Sequence, residues 1–270
     1  MIPEKAKDYI RDNFKKGRVA CLTGAGISAE SNIPTFRGKG GLWEKYDPKI
    51  YAHAQGLISL LRREPEKIAD FLVDFYTVLL EARPNAGHLA LAELEKKNIL
   101  TGVITQNIDN LHQQAGSRNV IELHGSAFRI RCMRCGKTIT LEKDRLRELV
   151  ELLKIKRSRI GLLRILSRYF PRCGCGGRYR IDIVLFGEML SEDELMRAYR
   201  ELSECLTLLL IGTSLVVYPA AALPSHAKKL GAKLIEINNE VSALSYLCEY
   251  KIIGQASRIL PEILNVSGYA

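Results

Sequence analysis

A glycine-rich segment has the residue types and spacing of a phosphate-binding turn. Gly24, Gly26 and Ala29 follow the apolar run Val19–Leu22, so the sequence places G-x-G-x-x-A directly after a predicted strand. Glycines permit a tight turn and a close backbone approach to a pyrophosphate, whose charge the free N–H groups at a helix start stabilise. An ordinary turn between a strand and a helix is the alternative. The segment makes a dinucleotide phosphate the first candidate ligand.

Two polar clusters follow other apolar runs and carry groups able to move a proton or hold a sugar. Gln106, Asn107 and Asp109 offer amides and a carboxylate, and His124 offers a base that titrates near neutrality. In open parallel sheets, ligands bind at the edge where the strands end. Asp109 as a helix cap and His124 as an ordinary turn histidine are the alternatives for each cluster alone. Together with the glycine segment, the clusters favour a catalytic site.

The loop after the glycine segment departs from a standard dinucleotide fold. Such a fold needs an acidic residue about 20 positions further on to hold the ribose. Glu44 and Asp47 lie at that distance, but their flanking sequence is a glycine-rich loop. We therefore expect the cofactor to be held differently, with Pro34, Phe36 and Arg37 on a loop able to fold over it.

The elements that must position these residues alternate along the chain. Helical patterns occur at 58–63, 65–81, 86–97, 141–153 and 160–169, and strand-like runs at 18–23, 101–105, 119–122, 181–185, 206–212 and 233–237. This alternation predicts an α/β fold with a doubly wound, Rossmann-like parallel sheet. We assign the dinucleotide-binding domain to 1–46, 98–128 and 179–270. A helical module at 47–97 and a cysteine module at 129–178 would together form a smaller domain.

Four of the seven cysteines form two close pairs, Cys132-x-x-Cys135 and Cys173-x-Cys175. Pairs of this kind on glycine-containing turns can place four thiolates around a zinc ion. Two disulfides or a redox dithiol are the alternatives. Both are disfavoured because the N-terminal segment lacks the apolar region of a secretory signal. We predict a structural zinc ion and a cytoplasmic location.

The insert between the cysteine pairs is strongly basic. Residues 136–172 contain 11 Lys/Arg and 4 Asp/Glu, a net charge of +7 out of the chain's +10. This charge predicts weak, sequence-independent DNA association, with a solvated helix surface as the plain alternative. The insert lacks interleaved aromatic residues, so base stacking is not supported. The longest apolar stretch, Leu206–Tyr218, is too short and too polar to span a bilayer, so we expect no membrane partner.

The order of these motifs resembles that of sirtuins of the prokaryotic type, which are NAD-dependent protein lysine deacylases. The resemblance extends from about Ala6 to Leu264. It rests on GAGIS-AES-x-IPTFRG, TQNIDNLH, ELHG, the two cysteine pairs, VLFGE at 184–188, GTSLVVYPAA at 212–221 and IN at 237–238. It implies transfer of an acyl group from a protein or peptide lysine to ADP-ribose, with release of nicotinamide and O-acyl-ADP-ribose. It also implies NAD as cofactor and a structural zinc held by four cysteines.

The resemblance assigns roles residue by residue. His124 is the catalytic base, and Asn107 positions ribose and water. Val184 and Phe186 are implied to flank the acyl-lysine, and the backbone at Gly187 is implied to hold the substrate peptide. The implied NAD contacts are Gly24, Ala25, Gly26, Ala29, Phe36, Arg37, Gln106, Ile108, Asp109, Thr213, Ser214, Asn238 and Lys251.

One departure bears on the acyl group. Family members that remove acidic acyl groups carry Tyr-x-x-Arg in the helical segment, whereas Tyr76 is followed here by Leu79. The sequence therefore favours acetyl or longer apolar acyl groups. A mono-ADP-ribosyltransferase that uses NAD is an alternative function. A zinc-containing, DNA-associated binding protein is another, but it leaves the 106–109 cluster and His124 without a purpose.

Overall fold

The computed structural model describes Ile2 and residues 4–35, 41–155 and 158–266. The chain divides into two compact units. Unit 1 comprises Met1–Asn32, Arg83–His124 and Leu190–Ala270, and unit 2 comprises Ile33–Ala82 and Gly125–Met189. The domain boundaries given above stay a prediction.

The strands and helices are numbered along the chain. The strands are β1 Val19–Thr23, β2 Leu100–Thr105, β3 Val120–Glu122, β4 Gly125–Cys132, β5 Thr138–Thr140, β6 Tyr179–Ile183, β7 Thr207–Ile211, β8 Lys233–Asn238 and β9 Tyr250–Ile253. The α-helices are α1 Glu4–Phe14, α2 Ala25–Ser28, α3 Leu42–Lys45, α4 Pro48–Tyr51, α5 Ala54–Arg63, α6 Pro65–Glu81, α7 Ala86–Lys96, α8 Leu111–Ala115, α9 Lys143–Ile155, α10 Arg159–Tyr169, α11 Glu192–Glu204, α12 Leu223–Lys229 and α13 Ala256–Val266. The predicted helical patterns are confirmed.

Unit 1 is built on a six-stranded parallel sheet in the order β3-β2-β1-β7-β8-β9. Every residue of β1 and β7 is buried, as expected for central strands covered by helices on both faces. The chain builds outward from β1 in one direction and from β7 in the other. The carboxyl ends of β1 and β7 are therefore the switch point where such sheets bind ligands. The predicted doubly wound α/β fold is confirmed.

Two apolar layers hold this sheet, one on each face. On one face, α1, α7 and α13 pack through Ile10, Leu91 and Leu260, which are fully buried. On the other face, α11 and α12 pack through Leu202 and Leu223, which are also fully buried. Each such side chain contributes about 1.5–3 kcal/mol by leaving water. The layers fix the strands, and thereby the loops at the strand ends.

Unit 2 combines a three-stranded antiparallel sheet, in the order β5-β4-β6, with helices α3–α6, α9 and α10. The Asp182 carboxylate on β6 accepts hydrogen bonds from the Arg129 and Arg131 side chains on β4, each at 2.6 Å. The sequence prediction placed the run 181–185 in the parallel sheet, which is wrong, because β6 pairs with β4 in the antiparallel sense. An apolar run indicates a strand but carries no information on strand direction.

The basic insert contains strand β5 and two helices of unit 2, α9 and α10, which pack on α6 and on each other. Leu146, Leu149 and Leu153 of α9 and Leu162 of α10 are fully buried. The predicted apolar stripe is therefore the inner face of a helical hairpin. In the part of the chain that the structure describes, no helix is both long and apolar enough to cross a bilayer.

Candidate active site and metal centre

The glycine segment lies at the switch point of unit 1, where the ends of β1 and β7 touch. The Gly26 N–H donates to the Gly212 carbonyl oxygen at 2.8 Å. A Cβ atom at Gly26 would lie 2.7 Å from the Gly212 Cα, and one at Gly24 would lie 2.8 Å from the Thr213 Cβ. No side chain fits in either place. The glycines therefore bring the backbone of the turn, with the half-buried Ala25 at the start of α2, against the end of β7.

A chain of hydrogen bonds joins three strand ends beside this turn. The Gln106 Nε2 after β2 donates to the Thr213 Oγ1 after β7 at 2.8 Å. The Asn238 Nδ2 at the end of β8 donates to the Thr213 carbonyl oxygen at 3.0 Å. The structure thus brings these three predicted residues together. Ser214 is exposed next to Thr213, and Lys251 is exposed on the outermost strand, β9.

A second network links Asn107 and Asp109 through Ser28. The Asn107 Nδ2 donates to the Ser28 Oγ at 3.0 Å and to the Gly24 carbonyl oxygen at 3.1 Å. The Ser28 hydroxyl donates to the Asp109 Oδ2 at 2.7 Å. All three side chains are at most 5 % exposed, so their polar atoms depend on one another. The glycine turn and the TQNID segment are therefore locked together.

Asp109 also caps a helix, as its alternative interpretation proposed. Its Oδ1 accepts the Leu111 N–H at 2.9 Å, at the start of α8. Burial raises the pKa of Asp109, while the bonds from Leu111 and Ser28 oppose that shift. Ile108 is buried between Asn107 and Asp109, and Ala29 follows α2 in a short 3-10 turn. One carboxylate thus serves both the helix and the site.

Two buried histidines beside this network were missed by the sequence reasoning. The His88 Nε2 lies 3.5 Å from the Ser28 Oγ, and the His112 Nε2 lies 3.0 Å from the Thr23 Oγ1. Their ring centroids are 4.8 Å apart. Burial lowers the pKa of His88 to about 4 and that of His112 well below its usual value, so both are neutral at pH 7. His112 is the last residue of the TQNIDNLH motif, and this position was the signal by which the sequence could have identified it as a site residue.

His124 is the last residue of the second segment of unit 1, in the turn after β3. Its Nδ1 lies 2.9 Å from the Gln106 carbonyl oxygen. Because a carbonyl only accepts, Nδ1 carries the proton and Nε2 keeps its lone pair in the neutral ring. Burial lowers the pKa of His124, and the bond to Gln106 opposes that shift. The neutral imidazole therefore dominates at pH 7, with Nε2 available as a base.

The predicted acyl-lysine residues follow β6 in unit 2. The Phe186 N–H donates to the Ala52 carbonyl oxygen at 2.8 Å, and the residue is 39 % exposed. The ring centroids of Trp43 and His53 lie 6.3 and 5.7 Å from that of Phe186. Val184 is half-buried, and Gly187 has a φ of +84°. His53 was not identified from sequence, because nothing local connects it to Phe186. Phe36 and Arg37 lie outside the described residues.

The four paired cysteines converge in unit 2, where their Sγ atoms all lie within 4.8 Å of one another. The Cys132–Cys175 and Cys135–Cys173 Sγ distances are 3.6 and 3.7 Å. These exceed a disulfide bond of about 2.05 Å. They match the edge of about 3.8 Å in a tetrahedron with Zn–S bonds of about 2.3 Å.

The turns around the sulfurs fit a metal site. Gly136 and Gly176 have φ values of +72° and +83°, and the Gly177 N–H donates to the Cys175 Sγ at 3.4 Å. A Cβ at Gly177 would lie 2.6 Å from the Cys132 Sγ, so glycine is required there. The donor set is compatible with zinc and fills all four coordination positions. Such a site holds the fold and leaves no position for a reacting group.

Comparison with known proteins agrees with this geometry. The model of the Sir2 family matches residues 24–219. The NAD-dependent protein deacylase of Pyrococcus furiosus is 43% identical over 252 residues, which is 93% of each chain. The crystal structure of a Sir2 homolog–NAD complex has a TM-score of 0.78 and 37% identity, and the similarity covers 99% of this chain and 94% of that chain. A Sir2 structure with deacetylated p53 peptide and 3'-O-acetyl ADP-ribose has a TM-score of 0.77 and 33% identity, covering 97% and 99%.

This chain belongs to the Sir2 family. The resemblance to sirtuins drawn from its motifs is thereby confirmed.

Proposed function

We propose that this protein is an NAD-dependent protein lysine deacylase, which moves an acyl group from lysine to ADP-ribose and releases nicotinamide. The observation that carries the proposal is the bond from the His124 Nδ1 to the Gln106 carbonyl, which leaves Nε2 as a base at the edge of the sheet. The names of the similar proteins, an NAD-dependent deacylase and Sir2 complexes with NAD and acetyl ADP-ribose, support the same activity.

The residues of unit 1 fit a dinucleotide. Residues 24–26 present backbone without bulky side chains, as a pyrophosphate requires. Gln106, Thr213 and Asn238 align hydroxyl and amide groups along the ends of β2, β7 and β8, which suits ribose hydroxyls. Asn238 would take the place of the ribose-binding acid that the sequence lacks. When bound, NAD would supply the ADP-ribose whose hydroxyl oxygen accepts the acyl group, with nicotinamide as the leaving group.

His124 would remove a proton from a ribose hydroxyl, whose oxygen then becomes the nucleophile toward the acyl group. A positioned base of this kind contributes about 10²–10⁴ in rate. Asn107 is fixed by Ser28 and Gly24 and would orient the ribose and a water. Each Asp109 oxygen already accepts one hydrogen bond and has a further lone pair, which would bind the nicotinamide amide together with the backbone of Ile108.

Val184 and Phe186 would flank the acyl-lysine, and the rings of Trp43 and His53 lie next to that of Phe186. The backbone at Gly187 would pair with an extended substrate peptide by strand addition.

The helical segment of unit 2 supports the preference for uncharged acyl groups. The fully buried Tyr76 donates its hydroxyl to the Ala127 carbonyl oxygen at 3.2 Å, and Leu79 is buried. Neither side chain offers a cation to an acidic acyl group. Acetyl and longer apolar groups are therefore the favoured substrates.

The direct test is nicotinamide release from NAD in the presence of an acetyl-lysine peptide. We expect release that requires the peptide, yields free lysine and O-acetyl-ADP-ribose, and is lost in His124→Ala. His226→Ala is the matched control, since His226 packs its ring on Tyr199, outside the site residues named above. ADP-ribose attached to the peptide in mass spectra would instead establish the mono-ADP-ribosyltransferase alternative.

We also propose that the basic insert gives weak DNA association. In α9 and α10, Arg147, Lys154 and Arg168 form exposed ion pairs with acidic residues of the same hairpin. Arg159 and Arg164 are exposed, and among the described residues neither has an acidic partner within 4.0 Å. These two guanidinium groups are available to phosphates.

Gel shifts of duplex DNA at low and moderate salt test this. Arg159→Gln/Arg164→Gln should weaken DNA retention. The slope of log K against log[salt] should also become less steep by about two, because two phosphate contacts are lost. The control Arg200→Gln/Arg258→Gln removes the same charge from exposed positions of unit 1. Equal retention by the two variants would contradict the proposal.

We further propose a cytoplasmic location, because all seven cysteines are free and a thiolate zinc site needs a reducing compartment.

A further inference from the structure

The turn that carries Phe186 is closed by one carboxylate, that of Glu188. Its Oε1 accepts the Arg180 Nη1 at 2.6 Å, and its Oε2 accepts the Arg180 Nη2 at 2.5 Å. Oε2 also accepts the Leu185 N–H at 3.0 Å. The Glu188 N–H in turn donates to the Leu185 carbonyl oxygen at 3.0 Å. Side chain and backbone of one residue therefore tie the two ends of the turn together.

The Arg180 guanidinium anchors this carboxylate to the sheet of unit 2. Arg180 lies within β6 opposite Arg131 of β4, so its backbone is fixed by strand pairing. Its Nη2 also donates to the Ile183 carbonyl oxygen, at 3.1 Å, where β6 ends. A forked, bidentate contact fixes both distance and orientation, which a single point charge cannot do.

The result is a defined position for Phe186. Its N–H is bonded to Ala52, and its ring faces Trp43 and His53. Gly187, with a φ of +84°, makes the reversal possible without strain. The aromatic ring is thus presented by a turn whose amides at Leu185, Phe186 and Glu188 are all bonded within unit 2.

We propose that Arg180 and Glu188 are positioning residues for the acyl-lysine, which keep the turn 184–188 closed so that Phe186 is in place before the substrate binds. This rests on the proposed deacylase function. The Arg180–Glu188 pair differs from an exposed ion pair, because its carboxylate also holds a backbone amide. In Glu188→Gln one oxygen would have to serve three donors, and the new NH₂ group would face a donor.

Steady-state kinetics of the full-length, zinc-loaded enzyme test the proposal. In Glu188→Gln the KM for an acetyl-lysine peptide should rise about tenfold, while kcat and the KM for NAD stay within about twofold. Arg180→Lys keeps the charge but not the fork, and it should raise the peptide KM by a smaller factor. The double variant should be no worse than Glu188→Gln alone, because the two residues act as a unit. Glu148→Gln, which breaks the Arg168–Glu148 ion pair of the same unit, is the matched control and should change nothing.

An unchanged peptide KM in either folded variant would overturn the proposal, and so would an equal rise in the KM for NAD. Should Glu188→Gln not fold, Arg180→Lys decides the matter alone. If the unaltered protein does not deacylate the peptide, the proposed function itself fails. If it does so and both variants match it, only the role of the Arg180–Glu188 pair is rejected.

Discussion

The polar network of unit 1 and the cysteine cluster of unit 2 each bring distant side chains together, and they differ in what holds those side chains. Ser28, Asn107 and Asp109 are buried and satisfy one another by hydrogen bonds. The four sulfurs lie within 4.8 Å of one another but form no disulfide bond, and Cys135 is exposed. The polar network is thus complete without a ligand, whereas we expect the cysteine cluster to need an ion to hold it.

This difference has an energetic basis. A buried network with every partner present is rigid, and the loss of one member leaves other buried groups unsatisfied. Four crowded thiolates repel one another unless a cation neutralises them, so the free energy of zinc binding becomes free energy of folding. We therefore expect unit 2 to depend on metal and unit 1 to depend on single hydroxyl groups.

Metal removal should give the largest effect. Cys135→Ser, or chelation of the wild type, should abolish zinc binding and deacylation, because a structural zinc site contributes roughly 10 kcal/mol or more. Zinc content, circular dichroism and activity measure this. Cys248→Ser, at a cysteine outside the cluster, should keep full zinc content and activity. A zinc-free protein with unchanged melting temperature and activity would contradict the expectation that unit 2 depends on metal.

A smaller effect is expected from Ser28→Ala. The substitution leaves the Asn107 amide and the Asp109 carboxylate each short of one buried partner, at about 1–3 kcal/mol of stability. Deacylation should fall as well, while zinc content stays at one ion. Ser31→Ala is the control, because that hydroxyl accepts from Asn85 and lies outside the network. Denaturant unfolding and turnover measure both, and identical results for the two variants would show that the network is not special.

The smallest expected effect is a shift in the pH profile. Burial lowers the pKa of His124 below its usual 6.5. The base is lost when the ring gains a proton, so kcat/KM should fall as the pH drops through this lowered pKa. The acid limb should therefore lie below pH 6.5, with full activity retained at neutrality. A limb at or above 6.5 would indicate that His124 is not the titrating base in the environment described.

Local patterns explain what the sequence could predict. The glycine turn, the polar residues at strand ends and the two cysteine pairs each lie within a few residues of one another, so their chemistry is visible in the linear order. The apolar runs gave β1, β2, β3, β7 and β8 for the same reason.

The remaining features depend on contacts between distant segments. Ser28 meets Asp109 81 residues away, and His88 meets Ser28 60 residues away. Strands β4, β5 and β9 were not predicted, because each of them mixes polar with apolar residues. The link between Arg180 and Glu188 depends on the turn that separates them, and no periodic pattern in the sequence predicts that turn.

A crystal structure with NAD and an acetyl-lysine peptide bound tests the central claim most directly. The account predicts the His124 Nε2 within about 3 Å of a ribose hydroxyl, or joined to it by one water. It also predicts that the Nδ1 bond to Gln106 is kept. A His124 ring that is turned away, with Nε2 beyond the reach of a bridging water from any ribose oxygen, would contradict it.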